Sequence, residues 1–411
     1  MHPRLKPALR SAWRSLQQVQ FGITPAHSVL LGPVDTTTGS LLSLLDGTRG
    51  PELLREAARK LRLPDGRLEL LLDRLAAAGL LDDPADGDPA VIALRERPEA
   101  DRLRSDLASL SVVHREPGAA GRRLAARREL RVQVRGAGRV GAAVAALLSA
   151  AGVGRVDVLD GGRVRPWEVS PGGLPGDAVG ERRDTAARRL VGRSAPGGRL
   201  PRAAPEGAGR GAGSGPLAEP GLALVVVAPR DGIGVYAPDS RPAEDWMATG
   251  TPQLYAGVAE ATAVVGPLVL PGGTACARCL ELERADRDPS WPRLVAQWRS
   301  GLRELPPPCD VALASAVAGL AAAHALAFLD GDLPASTGAR WEASLPLLEW
   351  RSERLAPHPE CRCGAAGRAG GEEPGAAPEG QDTMGGTAVT GGAGGPGRTR
   401  QGSQGLGGAY V

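Results

Sequence analysis

Four of the five cysteines stand in two close pairs, Cys276-Ala-Arg-Cys279 and Cys361-Arg-Cys363. Four thiolates complete the tetrahedral coordination that structural Zn²⁺ sites require. The first spacing is usual for chelation, whereas the second is tighter, so His358 could replace one of its sulfurs. The sequence therefore predicts a structural zinc site that joins the start and the end of the second half-domain. The alternative is that one pair is incidental, or that these are ordinary reduced thiols.

The fifth cysteine, Cys309, follows three prolines and precedes a long apolar segment, Val311–Leu329. A thiol ahead of a helix N-terminus can have a lowered pKa, which suits a nucleophile. More often such a cysteine is inert, and we favour the inert interpretation.

A glycine-rich turn, GAGRVG, follows the strand pattern Leu130–Arg135 and precedes a segment with helical spacing. Its glycines Gly136, Gly138 and Gly141 match the pattern GxGxxG. Such glycines permit a tight turn and let backbone N–H groups approach a phosphate at the N-terminus of the following helix. The turn is thus a predicted phosphate site, although a purely structural glycine turn has the same pattern.

Asp160 ends the next strand pattern, Arg155–Leu159. It lies about twenty residues beyond the turn, where a carboxylate can accept a hydrogen bond from a ribose hydroxyl. Strand, turn, helix, strand and acid in register predict a Rossmann-like α/β domain that binds a nucleotide. The pattern alone does not choose between NAD and ATP.

Composition argues against several classes of protein. The 49 basic and 46 acidic residues leave a formal net charge of +3 and are interleaved over most of the chain. Only Lys6 and Lys60 are lysines, and with 58 glycines this bias resembles that of a GC-rich coding sequence. The arginines therefore do not indicate nucleic acid, and we expect no dedicated DNA or membrane surface.

The expected location is the cytoplasm. The first residues, MHPRLKPALRSAWRSL, lack the apolar core of a signal peptide. We find no apolar run of about 18 residues that would span a membrane. Five cysteines in a chain of 411 residues do not make a disulfide framework, and close pairs in a reducing compartment indicate metal ligands.

Residues 1–83 are predicted to be a separate small domain. Two short apolar runs, Gln18–Ile23 and His27–Gly32, suit a hairpin, and three helical patterns follow them. A hairpin with three short helices is typical of a winged-helix-like α+β unit. DNA binding is disfavoured because the helix that would enter a groove, Leu68–Leu80, is not basic.

Three further zones follow. Residues 84–129 are a polar, arginine-rich connector that is predicted to be partly helical. Residues 130–364 alternate strand and helix patterns, which is typical of a parallel sheet. A Gly/Pro/Ala-rich insertion at 191–220 is predicted to be flexible, and the Gly-rich residues 365–411 are predicted to be disordered.

The order of these motifs resembles that of the ThiF/MoeB adenylyltransferases of the ubiquitin-activating superfamily. The resemblance covers about 130–364 and includes the GxGxxG turn, the strand that ends in Asp160, CxxC and a terminal cysteine pair. It implies an activating-enzyme domain with a mixed or parallel sheet and a Cys₄ zinc knot. It also implies a homodimer that uses ATP and Mg²⁺ to adenylate the C-terminal carboxylate of a small protein or peptide.

A finer resemblance is carried by CARCLELERADRDPSWP, Cys276–Pro292. It is similar to a signature of an actinobacterial branch related to azoline-forming cyclodehydratase partners. Residues 18–83 are similar to the leader-peptide-binding module of PqqD-like proteins, in which a peptide adds as a strand beside the hairpin. The resemblance implies a peptide partner and a YcaO-type enzyme. Within the signature, Asp286-Arg287-Asp288 is either functional or a capped turn, and we favour the turn.

The chain departs from the active pattern of this family. The family's second acidic residue and its phosphate-binding arginine are missing, and no lysine follows Lys60. Arg183 is the nearest stand-in for the lost phosphate contacts, and Asp231 is the expected Mg²⁺-side carboxylate. Two functions follow: an adenylyltransferase, or a catalytically degenerate scaffold that presents a leader peptide to a YcaO-type enzyme.

Overall fold

The computed structural model describes residues 2–83, 87–198, 221–300 and 306–367. Most of the predicted insertion at 191–220 and nearly all of the predicted tail at 365–411 lie outside these residues. Residues 191–194 of that insertion belong to a helix.

The N-terminal unit combines small antiparallel sheets with three helices. Its elements are β1 (Arg4–Leu5), β2 (Ser11–Ser15), β3 (Gln18–Phe21), β4 (Val29–Leu31), α1 (Thr36–Ser43), α2 (Pro51–Lys60), α3 (Arg67–Ala77) and β5 (Leu81–Asp82). β3 and β4 pair as the predicted hairpin, and β1 pairs with β5. The sequence does not predict β2, which adds to the other side of β3, because all five of its residues are exposed and lack apolar alternation.

A helical layer follows, made of α4 (Pro89–Arg95), α5 (Arg104–Val113) and α6 (Ala119–Arg127). The segment predicted as a polar, partly helical connector is therefore largely helical. It also has its own apolar cluster, which includes Leu94 and Leu124. These apolar positions are inconspicuous in the sequence because arginines and acids surround them.

The largest element of the fold is a seven-stranded mixed sheet with the order β12-β11-β10-β9-β8-β6-β7. Its strands and the associated helices are β6 (Arg131–Arg135), α7 (Arg139–Ala150), β7 (Arg155–Leu159), α8 (Arg183–Ser194), β8 (Leu222–Val227), α9 (Ile233–Tyr236), α10 (Ser240–Ala248), β9 (Gln253–Ala259), β10 (Thr262–Val269), α11 (Ala277–Arg287), α12 (Trp291–Ser300), α13 (Val311–Leu329), β11 (Ala339–Ser344) and β12 (Arg351–Arg354). β7, β6, β8 and β9 are parallel, and the other pairs are antiparallel. The predicted α/β class with a mixed sheet is confirmed.

The sheet reverses its winding at β6, whose neighbours are β7 on one side and β8 on the other. Both β6 and β8 have buried centres, as strands covered on both faces do. Ligands of open α/β sheets bind where the strand order reverses, outside the carboxyl ends of the strands. The Gly136–Gly141 turn directly follows β6 and therefore lies at that point.

The expectation that the chain has no apolar run of about 18 residues is wrong for helix α13. With 19 residues and a mean hydropathy of 1.9, it is long and apolar enough to cross a membrane by length and composition. It packs against α7, β9 and β10 and buries seven of its residues, Val317 and Ala321 among them. A buried core helix passes the same test as a membrane span.

A buried lysine, Lys6, forms hydrogen bonds between the N-terminal unit and the helical layer. Lys6 is 3% exposed, and its ammonium group donates to the carbonyl oxygens of His114 (2.8 Å) and Arg115 (3.2 Å). Burial lowers the pKa of Lys6. A second tie is made by Asp82, whose Oδ1 accepts from the N–H group of Gly118 at 3.2 Å. These contacts fix the N-terminal unit against the body that follows.

The histidine at this junction predicts a loss of stability in acid. Burial lowers the pKa of His114, and the charge of Arg123 adds to the effect. The unfolded chain then binds more protons than the folded chain just below the ordinary histidine pKa of about 6.5. Stability should therefore fall as the pH drops through about 6.5, and should level off below the folded-state pKa.

Urea unfolding between about pH 7.5 and pH 5 measures this effect. The variant His114→Gln should reduce the slope of stability against pH, with a remainder from His324, whose pKa is also lowered by burial. His27→Gln, at an exposed histidine, is the matched control. An unchanged slope in His114→Gln would contradict the prediction.

Candidate nucleotide cleft and cysteine cluster

The glycine turn packs against β8 with no room for side chains. Gly136 has φ of +111°, and a Cβ atom there would lie 1.9 Å from the carbonyl oxygen of Ala228. A Cβ on Gly141 would lie 2.1 Å from the carbonyl oxygen of Gly136. Both positions therefore require glycine. Because α7 begins at Arg139, the free N–H groups of its first turn are available at this edge of the sheet.

Asp160 lies beside the turn, as its place at the end of β7 predicts. Its Oδ2 accepts a hydrogen bond from the N–H group of Ala137 at 2.7 Å. The same oxygen is 3.2 Å from Nε of Arg230. Gly138 lets the side chain of Arg230 approach the turn closely, because a Cβ atom on Gly138 would lie 2.9 Å from that side chain.

An open cleft of about 1050 Å³ begins at this turn. Among the described residues, five arginines and four acids line it. They are Arg135, Arg163, Arg165, Arg183, Arg230, Asp160, Glu168, Asp231 and Asp245. Prolines and the indoles of Trp167 and Trp246 supply further lining. The cleft can thus accept an anionic ligand with a flat apolar part, and its charge is only slightly positive.

Arg183 lines the cleft but is committed to neighbouring groups. Its Nε donates to Oε2 of Glu168 at 2.8 Å, and both side chains are at least nine-tenths buried. Its Nη1 donates to the carbonyl oxygen of Gly161 at 2.7 Å. In this arrangement Arg183 orients Glu168 and the loop after Asp160.

Breaking this buried pair is expected to destabilise the fold. Arg183→Met leaves the carboxylate of Glu168 buried without its main partner, which should lower the free energy of unfolding by about 3–5 kcal/mol. Chemical denaturation measures the change. Arg182→Met removes an exposed arginine one residue away and should have little effect. Equal stability of the two variants would contradict the structural role.

Asp231 lies at the mouth of the cleft and is exposed. Its Oδ1 accepts from the N–H group of Gly234 at 3.0 Å, which orients the carboxylate at the start of α9. The other carboxylate oxygen is suited to a hard cation, which prefers oxygen ligands. Asp231 therefore follows β8 as predicted and lines the same cleft as Asp160.

The four paired cysteines converge at the start of α11. The sulfurs of Cys276 and Cys279 are 3.8 Å apart, and the pairs Cys276–Cys361 and Cys279–Cys363 are each 3.6 Å apart. All four sulfurs lie within 4.8 Å of one another. Thiolates at about 2.3 Å from a tetrahedral Zn²⁺ would be about 3.8 Å apart. This four-cysteine cluster therefore has the donor set and the spacing of a structural zinc site.

The imidazole of His358 lies outside the four-cysteine cluster, and both of its ring nitrogens have other partners. Its Nε2 is 2.8 Å from Oδ2 of Asp286, and its Nδ1 accepts from the N–H group of Glu360 at 3.2 Å. Asp288 caps a turn by accepting from the N–H group of Ser290 at 2.9 Å. The capped-turn interpretation of the signature thus describes Asp288, and Asp286 holds His358.

Cys309 is half-buried near the glycine turn. Burial raises the pKa of its thiol, which opposes nucleophilic character. Its carbonyl oxygen accepts from Nη1 of Arg139 at 2.6 Å, so the residue also helps to position the first residue of α7. The inert interpretation of this thiol is the one that its surroundings support.

The sequence of the chain matches one family model, described as the ThiF family, over residues 114–364. The chain belongs to the ThiF family. The match begins in the helical layer, ahead of the boundary predicted at residue 130, and includes α6. No curated protein sequence matches the chain.

Solved structures with the same fold cover more of this ThiF-family chain than the family model does. E. coli MccB with ATP is 15% identical, with a TM-score of 0.61, over 88% of this chain and 99% of that chain. E. coli MccB with MccA-N7isoASN is 15% identical, with a TM-score of 0.63, over 89% and 100%. PaaA is 16% identical, with a TM-score of 0.60, over 85% and 99%.

Two cleft residues of this ThiF-family chain are not predicted from the motifs. Glu168 lies in the stretch where the family's arginine is missing, and Arg230 directly precedes Asp231. The available signal for Arg230 was its place just after β8, because residues that follow neighbouring parallel strands meet at one edge of the sheet. Glu168 has no comparable local signal.

Proposed function

We propose that this ThiF-family chain binds ATP and transfers its adenylyl group to the carboxylate of a peptide or small protein. The observation that carries the proposal is the cleft itself. It joins a glycine turn that admits no side chain, a carboxylate beside that turn, and a half-exposed arginine across it, all at the strand-order reversal of the sheet.

The phosphates and the ribose of ATP have matching groups in the cleft. The N–H groups at Gly136–Gly141 would hold the α-phosphate. Among the described residues, Ala137 and Arg230 both contact Oδ2 of Asp160, so Oδ1 would accept from a ribose hydroxyl. Arg230 would supply the positive charge that the family's lysine provides elsewhere. Asp231 would bind Mg²⁺ when it accompanies the nucleotide, and the ion would neutralise phosphate charge.

The chemistry then requires positioning more than covalent participation by the protein. A carboxylate oxygen of the substrate forms a bond to the α-phosphorus while the bond to the bridging oxygen of pyrophosphate breaks. The products are an acyl adenylate and pyrophosphate. The backbone amides and Arg230 would stabilise the charge that builds on the phosphate oxygens, while Arg183 would act as a positioning residue through Glu168.

A peptide substrate is supported by the N-terminal unit. β4 is one of the two edge strands of its three-stranded sheet, and an edge strand offers free backbone groups to a peptide that adds as a further strand. Structures with the same fold include E. coli MccB with MccA. The N-terminal unit would hold the peptide while its carboxylate reaches the nucleotide cleft.

ATP–pyrophosphate exchange with candidate peptides tests the proposal, together with calorimetric titration of ATP. We expect exchange above background in the presence of a substrate peptide, and Asp160→Ala should weaken ATP binding about tenfold or more. Asp184→Ala, at an acid outside the cleft lining, is the control. Exchange that stays at background with every peptide, despite folded protein, would contradict catalysis.

A second function is favoured by one observation, the commitment of Arg183 to Glu168. With that cation engaged, the cleft has fewer free charges for phosphate, and the chain would act as a scaffold that presents a leader peptide to a YcaO-type cyclodehydratase. ATP binding without exchange, together with peptide-dependent association with such an enzyme, would favour this function. The homodimer and the cytoplasmic location remain predictions for light scattering and fractionation.

A further inference from the structure

A second cleft, of about 560 Å³, lies between α10, α11 and α12. Its size is in the range of ligand sites, about 300–1,000 Å³. We call it the arginine pocket, because four arginines and two acids line it among the described residues. They are Arg241, Arg278, Arg284, Arg299, Asp239 and Glu281.

Both acids of the arginine pocket already have partners. Glu281 accepts from the N–H group and the hydroxyl of Ser240, at 3.1 Å and 2.9 Å, and from Nη1 of Arg278 at 3.1 Å. Asp239 accepts from the N–H group of Arg241 at 3.1 Å and caps α10. Among the described residues, neither acid forms a salt bridge with Arg284 or Arg299.

Arg284 and Arg299 donate hydrogen bonds to the backbone carbonyl groups of two consecutive residues. Nη1 of Arg284 donates to the carbonyl oxygen of Tyr236 at 2.6 Å, and Nη2 of Arg299 donates to that of Ala237 at 3.0 Å. Neither forms a salt bridge with a carboxylate in the part of the chain that the structure describes. Two such guanidinium groups are pre-organised to bind one oxyanion through several N–H groups.

Arg284 is also fixed in place by aromatic rings. Its guanidinium carbon lies 4.4 Å from the ring centre of Tyr236 and 4.8 Å from that of Trp291. Burial lowers the pKa of Arg284, and the positive charge of Arg340, which stacks on the same tyrosine at 4.9 Å, adds to the effect. The carboxylates of Glu342 and Glu353 act in the opposite direction, but neither forms a salt bridge with Arg284 among the described residues. A cation held rigidly in this way can bind an anionic ligand.

Helix α10 connects the arginine pocket to the nucleotide cleft. Ser240 and Arg241 line the pocket, whereas Pro242, Asp245 and Trp246 line the cleft. Six residues of helix span about 9 Å, the length of about three residues of extended peptide. This separation along α10 corresponds to a few residues of a peptide that ends in the cleft.

We propose that the arginine pocket binds the carboxylate of an acidic side chain of the substrate, a few residues before the end that reacts in the nucleotide cleft. The inference rests on the proposed function for the identity of the occupant. It assigns a role to the Cys276–Pro292 signature, which supplies Arg284 and Trp291 to the pocket walls. Substrates should therefore share an acidic position at a fixed spacing from the reacting carboxyl group.

Competitive peptide selection without ATP tests this proposal. The full-length, zinc-loaded protein is immobilised and offered a synthetic library in which each position is scanned with Glu against Gln, and retained peptides are quantified by mass spectrometry. Wild-type protein should enrich Glu at one register. Arg284→Gln should reduce that enrichment about tenfold or more, and Arg284→Lys should restore part of it. Arg287→Gln removes an exposed arginine of the same helix that pairs with Glu283, and should retain the enrichment.

Several other results of this selection would overturn the proposal. Equal retention of Glu and Gln by the wild type, absence of any retained peptide, or unchanged enrichment in Arg284→Gln would overturn the proposal. Arg299→Gln serves as the second variant if Arg284→Gln does not fold. Binding of inorganic phosphate that Arg284→Gln removes, without Glu enrichment, would assign the pocket to a free anion and also overturn it. Enrichment without pyrophosphate exchange would count against the proposed enzyme alone, and exchange without enrichment against the pocket alone.

Discussion

Cys279→Ser is expected to strip zinc from the protein and to lower its free energy of unfolding by more than about 4 kcal/mol. The sulfur of Cys279 is buried and lies 3.8 Å from that of Cys276 and 3.6 Å from that of Cys363. The four-cysteine cluster joins the start of α11 to the segment after β12, so losing the ion would release both. Binding energy of a structural zinc ion contributes directly to folding energy.

Zinc content by mass spectrometry and urea unfolding measure the two effects. Cys309→Ser is the matched control, because that thiol lies outside the cluster and its loss should leave zinc in place. A strong chelator added to the wild type should reproduce the unfolding curve of Cys279→Ser. If Cys279→Ser kept stoichiometric zinc and full stability, the cluster would not be a metal site.

Gly136→Ala is expected to weaken ATP binding by about a hundredfold or more. The added Cβ atom would lie 1.9 Å from the carbonyl oxygen of Ala228, so the turn would have to move away from β8. Backbone N–H groups that bind phosphate would then lose their alignment. Each hydrogen bond to a charged group contributes about 1.5–3 kcal/mol, and two such losses account for the expected change.

Gly161→Ala provides the control in the same cleft. Gly161 also lines the cleft, but a Cβ atom there would meet nothing within 4 Å and its φ is not positive. Calorimetric titration of ATP compares the two variants, and circular dichroism verifies that both are folded. Near wild-type affinity in Gly136→Ala would refute the phosphate role of the turn.

Features set by local sterics could be predicted from the sequence. The glycine turn, the strand before it and Asp160 after the next strand follow from spacing, because only glycine tolerates the contacts at Gly136 and Gly141. The four-cysteine cluster could likewise be predicted from the two cysteine pairs, because chelation restricts which residue types can occur at such spacings. The structure brings Cys276 and Cys361 together as that chemistry requires.

Side-chain partners that lie far apart in the sequence could not be predicted from local spacing. The sequence suggests Arg183 as a free phosphate ligand, because its partner Glu168 is recognisable only once the loop after β7 has folded back over it. The place of Arg230 between Asp160 and Glu168 likewise depends on strand order. The exposed strand β2 lacks apolar alternation, so burial patterns do not identify it.

The scarcity of lysine makes the junction between the N-terminal unit and the helical layer observable by amine chemistry. Lys60 is exposed on α2, whereas Lys6 is enclosed by the carbonyl oxygens of His114 and Arg115. An acylating reagent should therefore modify Lys60 rapidly. Modification of Lys6 should occur only as fast as the junction opens, so its rate would report that opening without any engineered label.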